Sequence, residues 1–289
     1  MKNENINLNG IKKVGLVVRE GESMTHDMDL IFDILSRFGV EVLCEQKAAL
    51  AVGKNGYLLD ELARQCALII SLGGDGTLIS LARKTAAFAP LLLGIHTGRL
   101  GFLTEATLGE ADELFKELFN NKFVIERPYF LRVVVEQKNG KNMELLALND
   151  AVIMRRRPAS TVNIKAYLGG KHFNSYFGDG IIACTPTGST AYNMSAGGAL
   201  IYPLSAVFSL TPICSHSLSQ RPLILPFSET VSLSADSNSE LVIDGQESLS
   251  MQDVACVKVG LGDVRARFLR REGRDYFQIL KQKLRWGDK

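Results

Sequence analysis

An α/β chain in two parts is predicted: an N-terminal doubly wound parallel-sheet domain, then a mainly antiparallel, β-sandwich-like domain, with the last helix returning to the first. Three observations predict it. Apolar strand-like runs alternate with segments of helical spacing between residues 12 and 119, the pattern of a parallel sheet with crossover helices. From residue 123 onward, short β-branched runs follow one another with turn residues between them, as in antiparallel sheets. Helical spacing reappears at Tyr276, Phe277, Ile279, Leu280 and Leu284. The predicted boundaries are 1–122, with 270–289 packing back on it, for the α/β domain, and 123–269 for the β-rich domain.

Each element has its own justification. Residues 12–18 read as a first strand; Ile31, Ile34, Leu35 and Phe38 follow at helical spacing, and Gly39 is a natural stop. Residues 40–44 give a second strand and 58–65 a second helix. The third strand, 67–72, is apolar almost throughout, as a strand covered on both faces must be, and a helix follows its Gly73 turn. Residues 90–95 are a fourth strand and 110–119 an amphipathic helix. Ligands of such sheets bind beyond the carboxyl ends of strands, where the Gly73 turn and the loop after Ile95 both fall. In the second part, 123–136 and 143–154 are extended, joined by the hairpin signal Lys138-Asn139-Gly140-Lys141. Further strands are expected at 162–168, 176–184, 207–213, 222–225, 230–235, 240–243 and 254–259, and 264–269 closes the run.

Bulk properties exclude several classes. With 46% hydrophobic and 22% charged residues, the chain has the composition of a soluble globular protein. A net charge of +2, with no basic run longer than Arg155-Arg156-Arg157, gives no case for nucleic acid or an acidic membrane. Five scattered cysteines without CxxC spacing fit buried thiols in a reducing compartment. The polar first ten residues carry no signal-peptide core, and no apolar stretch reaches the ~18 residues of a membrane span. A cytoplasmic location is expected.

Four stretches carry the chemistry. In Gly73-Gly74-Asp75-Gly76-Thr77, glycine lets the backbone approach a ligand, and the start of the following helix suits phosphate. Asp75 is the odd member, since a carboxylate beside phosphate needs a cation or a proton-transfer task; the plainer alternative is that Asp75 or Thr77 caps the helix. The second stretch, Gly94-Ile95-His96-Thr97-Gly98-Arg99-Leu100-Gly101-Phe102-Leu103, is a glycine-rich loop or an ordinary βα connection. The third is Asn149-Asp150 within an apolar run, either a site or an edge position facing water. The fourth, residues 179–198 from Asp179-Gly180 to Gly197-Gly198, joins a strand to a short helix and is dense in hydroxyls and backbone donors, suiting a ribose and amide pocket. Other nucleotide signatures are missing: there is no P-loop GxxxxGK, no GxGxxG after a strand, no HRD or DFG, no HExxH, and the four histidines do not cluster.

In this order the stretches resemble the NAD kinase family, over residues 12–286. The Gly73 turn is shared with the lipid kinases, whereas Thr185-Pro186-Thr187-Gly188-Ser189-Thr190-Ala191-Tyr192 and Ser195-Ala196-Gly197-Gly198 are specific to NAD kinases; Pro212 to Leu218 and Arg221-Pro222-Leu223 are similar too. The resemblance implies transfer of a phosphoryl group from ATP to the 2′-hydroxyl of NAD, giving NADP. It implies Asp75 as general base, and Gly73, Gly74, Asp75, Gly76 and Thr77 lining the phosphates with Mg²⁺ or another divalent ion between them. Asn149 and Asp150 would hold ribose hydroxyls; Asp179 and Thr190, Ala191, Tyr192, Asn193, Met194 and Ser195 would hold the nicotinamide and adenine ends. Gln246 matches a contact position, although Asp244-Gly245 between strands is also a routine hairpin. The residues that would bind the metal directly are not identified. Two positions depart from the family: His96 stands where Asn is usual, and Ser160 where relatives often carry a larger polar residue. A homodimer or homotetramer is implied. The alternatives are a lipid or diacylglycerol-type kinase, and a catalytically silent NAD-binding regulator.

Overall fold

A computed structural model describes residues 7–19, 24–98, 101–285 and 287. Arg99 and Leu100 of the glycine-rich loop, and Trp286, lie outside the described residues. The chain divides into two compact units, Met1–Arg127 with Ala266–Lys289, and Pro128–Arg265.

The first unit is built on a sheet in the order Gly56–Tyr57, Glu41–Glu45, Lys13–Val18, Leu68–Leu72, Leu91–His96, Phe268–Arg271, Phe123–Glu126, with Ala106–Thr107 also pairing against Leu91–His96. All pairings are parallel except the last in the row, Phe268–Arg271 with Phe123–Glu126. Leu68–Leu72 is buried at every position, which is why its sequence does not alternate. Leu68, Ile70 and Leu72 join one core with Met28, Ile31, Ile34 and Leu35 of the helix Thr25–Arg37 and Leu114, Phe115 and Leu118 of the helix Ala111–Phe119. Those positions recur every three or four residues, so each helix turns one apolar stripe to the sheet. Phe38 and Phe119 stack with ring centroids 4.6 Å apart where the two helices meet. Each such side chain contributes about 1.5–3 kcal/mol by leaving water. The last helix, Tyr276–Leu284, belongs to this unit, and its N-cap Asp275 accepts from the Phe277 N–H at 2.8 Å.

The second unit contains two six-stranded antiparallel sheets. One runs Leu223–Pro226, Val207–Ile213, Gly180–Cys184, Asp150–Arg155, Ser239–Ile243, Glu247–Ser250; the other runs Lys171–Gly178, Val162–Leu168, Val231–Ala235, Val254–Arg265, Tyr129–Gln137, Asn142–Ala147. Their inner faces share one core, with Ile153, Ile181, Phe208 and Leu241 from the first and Val133, Ile164, Leu233 and Val257 from the second.

Several predicted runs divide in two. Residues 143–154 form Asn142–Ala147 in one sheet and Asp150–Arg155 in the other, so Asn149 and Asp150 stand at a corner between sheets, not in mid-strand. Residues 176–184 likewise divide at Asp179 between Lys171–Gly178 and Gly180–Cys184. A run that stays in the core while changing sheets remains apolar, so only its polar corner residues mark the break. Residues 123–136 divide at Arg127-Pro128, and the first half pairs in the first unit's sheet. The 264–269 run also divides, between the end of Val254–Arg265 and the start of Phe268–Arg271. The short elements Gln46–Ala51, Gly56–Tyr57, Ala106–Thr107 and Glu247–Ser250 were not expected from the sequence.

Candidate active site

Asp75 is the first residue of the helix Asp75–Lys84, and the N-cap is Gly74, which has no side chain to offer. A Cβ on Gly73 would lie 2.7 Å from the Thr77 hydroxyl oxygen, so the turn closes this tightly only with glycine there. Asp75 caps nothing on its own helix through this N-cap. Its carboxylate instead crosses to the loop after Leu91–His96: Oδ2 accepts from the Phe102 N–H at 2.7 Å, and Oδ1 from the Leu103 and Thr104 N–H groups at 3.1 Å each. Three consecutive backbone donors on one anion form a nest. The loop packs so closely that a Cβ on Gly101 would fall within 1.9 Å of Asp75 Oδ1. The glycine-rich stretch is therefore more than a connection: it carries the cradle that aims Asp75.

His96 ends the strand beside this turn, with Nε2 3.5 Å from where a Cβ of Gly74 would stand. Its Nδ1 accepts from the Gly98 N–H at 2.7 Å, which makes Nε2 the protonated nitrogen of the neutral ring. Burial lowers its pKa, Asp75 opposes that shift, and Lys283 and Arg19 add to it. His96 thus offers an uncharged N–H donor at this position. Ser160 sits in a surface turn and its hydroxyl donates to the Arg157 carbonyl.

The second unit builds a matching nest. Asp244, at φ +51° in the turn before Glu247–Ser250, accepts from the N–H groups of Leu148, Asn149 and Asp150 at 2.9, 2.7 and 3.1 Å. On the carbonyl side of the same corner, the Thr185 hydroxyl donates to Leu148 O, the Thr185 N–H donates to Asn149 O at 2.9 Å, and a Cβ on Gly188 would come within 2.2 Å of that oxygen. Held from both sides, Asn149 has a side chain with no hydrogen-bond partner among the described residues. Asp150 is buried at 4% exposure, and burial followed by the neighbouring Asp244 charge pushes its pKa up to about 7.

The remaining expected residues separate by role. Asp179 accepts a two-pronged bond from Arg155, at 2.8 Å from Nε and 3.1 Å from Nη2, and stays partly exposed. Tyr192 is 41% exposed; burial first, then Cys214, Asp179 and Asp150, push its pKa up, so its hydroxyl remains a neutral donor. Thr190, Ala191, Met194 and Ser195 are partly or fully exposed around it, on the turn Thr187–Thr190 and the short helix Tyr192–Ser195. Asn193, expected among the contact residues, is the inward-facing member of this stretch. Its side chain is wholly buried, donating to Ala199 O at 3.1 Å and accepting from the Thr211 hydroxyl at 2.6 Å, so it pins the segment from inside. Gln246 is exposed in the hairpin beside Asp244.

Sequence reasoning missed Asp244, whose Asp-Gly pattern reads as a turn, and Thr187. The Thr187 hydroxyl is buried and has no hydrogen-bond partner among the described residues. Arg270 and Arg274, behind the Asp75 cradle, gave no signal at all.

Comparison with known proteins bears on the family and the fold. The family model of the ATP-NAD kinase N-terminal domain matches residues 14–123, and that of the ATP-NAD kinase C-terminal domain matches 148–271. A curated NAD kinase of Campylobacter jejuni subsp. jejuni serotype O:6 is 46% identical over 283 residues, 98% of this chain and 99% of its own. A solved NAD kinase from Archaeoglobus fulgidus in complex with ATP is similar at 26% identity with a TM-score of 0.76, covering 94% of this chain and 98% of its own. The yeast NADH kinase complexed with NADH shares the fold at a TM-score of 0.86, with 23% identity over 96% of this chain and 89% of its own. With both domain models matched and near-complete coverage at 46% identity, this chain belongs to the NAD kinase family.

Proposed function

We propose that this chain transfers the γ-phosphoryl group of ATP to the 2′-hydroxyl of the adenosine ribose of NAD, giving NADP and ADP. The observation that carries the reading is Asp75, a carboxylate aimed by three backbone donors at the start of a helix in a glycine turn. A secondary hydroxyl is a poor nucleophile at neutral pH, so a positioned carboxylate that takes its proton lowers the barrier. A carboxylate has about four acceptor positions, and the cradle fills three, which leaves one for the 2′-hydroxyl. The 2′-oxygen bonds to the γ-phosphorus as the bond from that phosphorus to the β,γ-bridging oxygen breaks; ADP leaves and the proton goes to Asp75. No protein nucleophile is needed.

Gly73, Gly74, Gly76 and Thr77 give the triphosphate a helix start to lie against, and neutral His96 adds an N–H donor beside them. Asn149, Asp150, Asp179, Tyr192 and the Thr187 hydroxyl supply the polar contacts for the dinucleotide. Among the described residues no cluster of three metal-ligating side chains occurs. Mg²⁺ would come in on the triphosphate, held there mainly by substrate phosphates and water, and Asp75 keeps its free acceptor position for the 2′-hydroxyl. When bound it neutralises charge on the phosphoryl oxygens. A lipid acceptor is not favoured, because the C-terminal domain match spans the Thr185 to Gly198 stretch.

A homo-oligomer is also proposed, supported by Phe173 and Phe177 on the edge strand Lys171–Gly178 and Leu223 and Ile224 on the edge strand Leu223–Pro226, all exposed. The five free cysteines support a reducing, cytoplasmic setting. The assignment of the corner is tested by Asn149→Ala. We expect the KM for NAD to rise about tenfold, one lost hydrogen bond, and the KM for ATP to stay within about twofold. Equal rises in both would assign Asn149 to folding instead.

A further inference from the structure

Resting on the assignment of Asp75 as base, we propose that Arg274, with Arg270 beside it, is a positioning residue for phosphoryl transfer, acting on Asp75 through the peptide units of the 102–104 loop. The peptide that joins Phe102 to Leu103 donates its N–H to Asp75 Oδ1, and its carbonyl, on Phe102, accepts from Arg274 Nη2 at 2.6 Å. The next peptide donates the Thr104 N–H to the same oxygen, and its carbonyl, on Leu103, accepts from Arg270 Nη1. Each peptide is thus a bridge between a guanidinium and the carboxylate, and hydrogen bonds in such a chain polarise and align one another. Arg274 Nη1 reaches a third carbonyl, Thr104 O, at 3.4 Å. The two side chains are in turn fixed by Glu105, which accepts from both, and by Glu126, which accepts from Arg270 Nε at 2.8 Å.

Stability alone is a weak reason for this cluster. Arg270 and Glu105 are 3% exposed, and desolvating buried ion pairs offsets much of their attraction, so well-packed apolar residues often do as well. What an apolar replacement cannot do is hold two carbonyls on one side of a loop so that its N–H groups converge on the other. Neither arginine touches Asp75, and both come from the strand Phe268–Arg271 and the turn after it, where the chain has returned from the second unit.

The test is Arg274→Ala in the wild-type and Asp75→Asn backgrounds, with kcat, both KM values and amide exchange of residues 101–105 measured on the full chain. We expect kcat to fall about 10- to 100-fold with both KM values within about twofold, and the 102–104 amides to exchange at least about tenfold faster. In the Asp75→Asn background the further loss should be under about twofold, because a residue that acts through Asp75 has nothing left to position. Arg274→Lys, which keeps one donor to a carbonyl, should recover part of kcat. Should Arg274→Ala not fold, Arg274→Gln takes its place in the same cycle. An equal loss in both backgrounds, or unchanged amide exchange, overturns the proposal. Near-normal turnover of Asp75→Asn alone would sink the base assignment instead, and the exchange measurement still decides whether the clamp exists.

Discussion

Asp75→Asn keeps NAD bound and loses most of its turnover. The amide has the shape of the carboxylate and one oxygen to accept from the loop, so the fold of the cradle survives in outline. What it lacks is a site to receive the 2′-hydroxyl proton, and general-base catalysis is worth about 10²- to 10⁴-fold. The amide NH₂ also turns a donor toward a loop that offers only donors, the N–H groups of Phe102, Leu103 and Thr104. Part of the loss is therefore misalignment, and it falls on kcat because the ground-state contacts to NAD assigned to the second unit are untouched. The expected pattern is a kcat lower by at least about 100-fold with the dissociation constant for NAD within about threefold. Near-normal kcat would remove Asp75 from the mechanism.

Asp150→Asn should raise stability at pH 8 and flatten its dependence on pH. Burial and the Asp244 charge raise the folded-state pKa of Asp150 from the ordinary 3.8 to about 7. In that window the folded chain holds a proton that the unfolded chain has released, so stability falls as pH rises. The contribution is fully present below about pH 4, declines through the window, and is at its lowest above about pH 7. A shift of this size corresponds to at most about 4 kcal/mol. Asparagine copies the protonated carboxyl without the ionisation. The variant is expected to gain about 1–3 kcal/mol over wild type in urea unfolding at pH 8 and much less at pH 4.5. Parallel pH profiles for the two proteins would show that Asp150 does not carry the charge penalty.

The legible parts of this molecule are the local ones. Leu68–Leu72 announces its place in a doubly covered sheet by being apolar throughout, and the stripes Met28, Ile31, Ile34, Leu35 and Leu114, Phe115, Leu118 announce their helices. The Gly73 turn and the Thr185 stretch could be found because their chemistry lies within one short segment. The corners at Asn149 and Asp179 were not legible as corners, since alternation is silent about which sheet a strand joins. Asp244 acts on residues 94–96 positions away and Arg270 on a residue 167 away, separations at which no periodicity connects one residue to another. At Asn193 the sequence is silent about direction, because a polar side chain reads the same whether it faces outward or pins its segment from behind; its buried bonds to Ala199 and Thr211 show the side chain pinning the segment.

The most direct measurement is NADP formation from NAD, ATP and Mg²⁺, with diacylglycerol offered in parallel as acceptor. NADP should appear, its formation should stop when Mg²⁺ is chelated and resume when it is restored, and the lipid should remain unphosphorylated. Phosphorylated lipid without NADP would place the acceptor chemistry in the sister family. Bound NAD with no product from either acceptor would contradict the account, leaving a protein that holds the dinucleotide without turning it over.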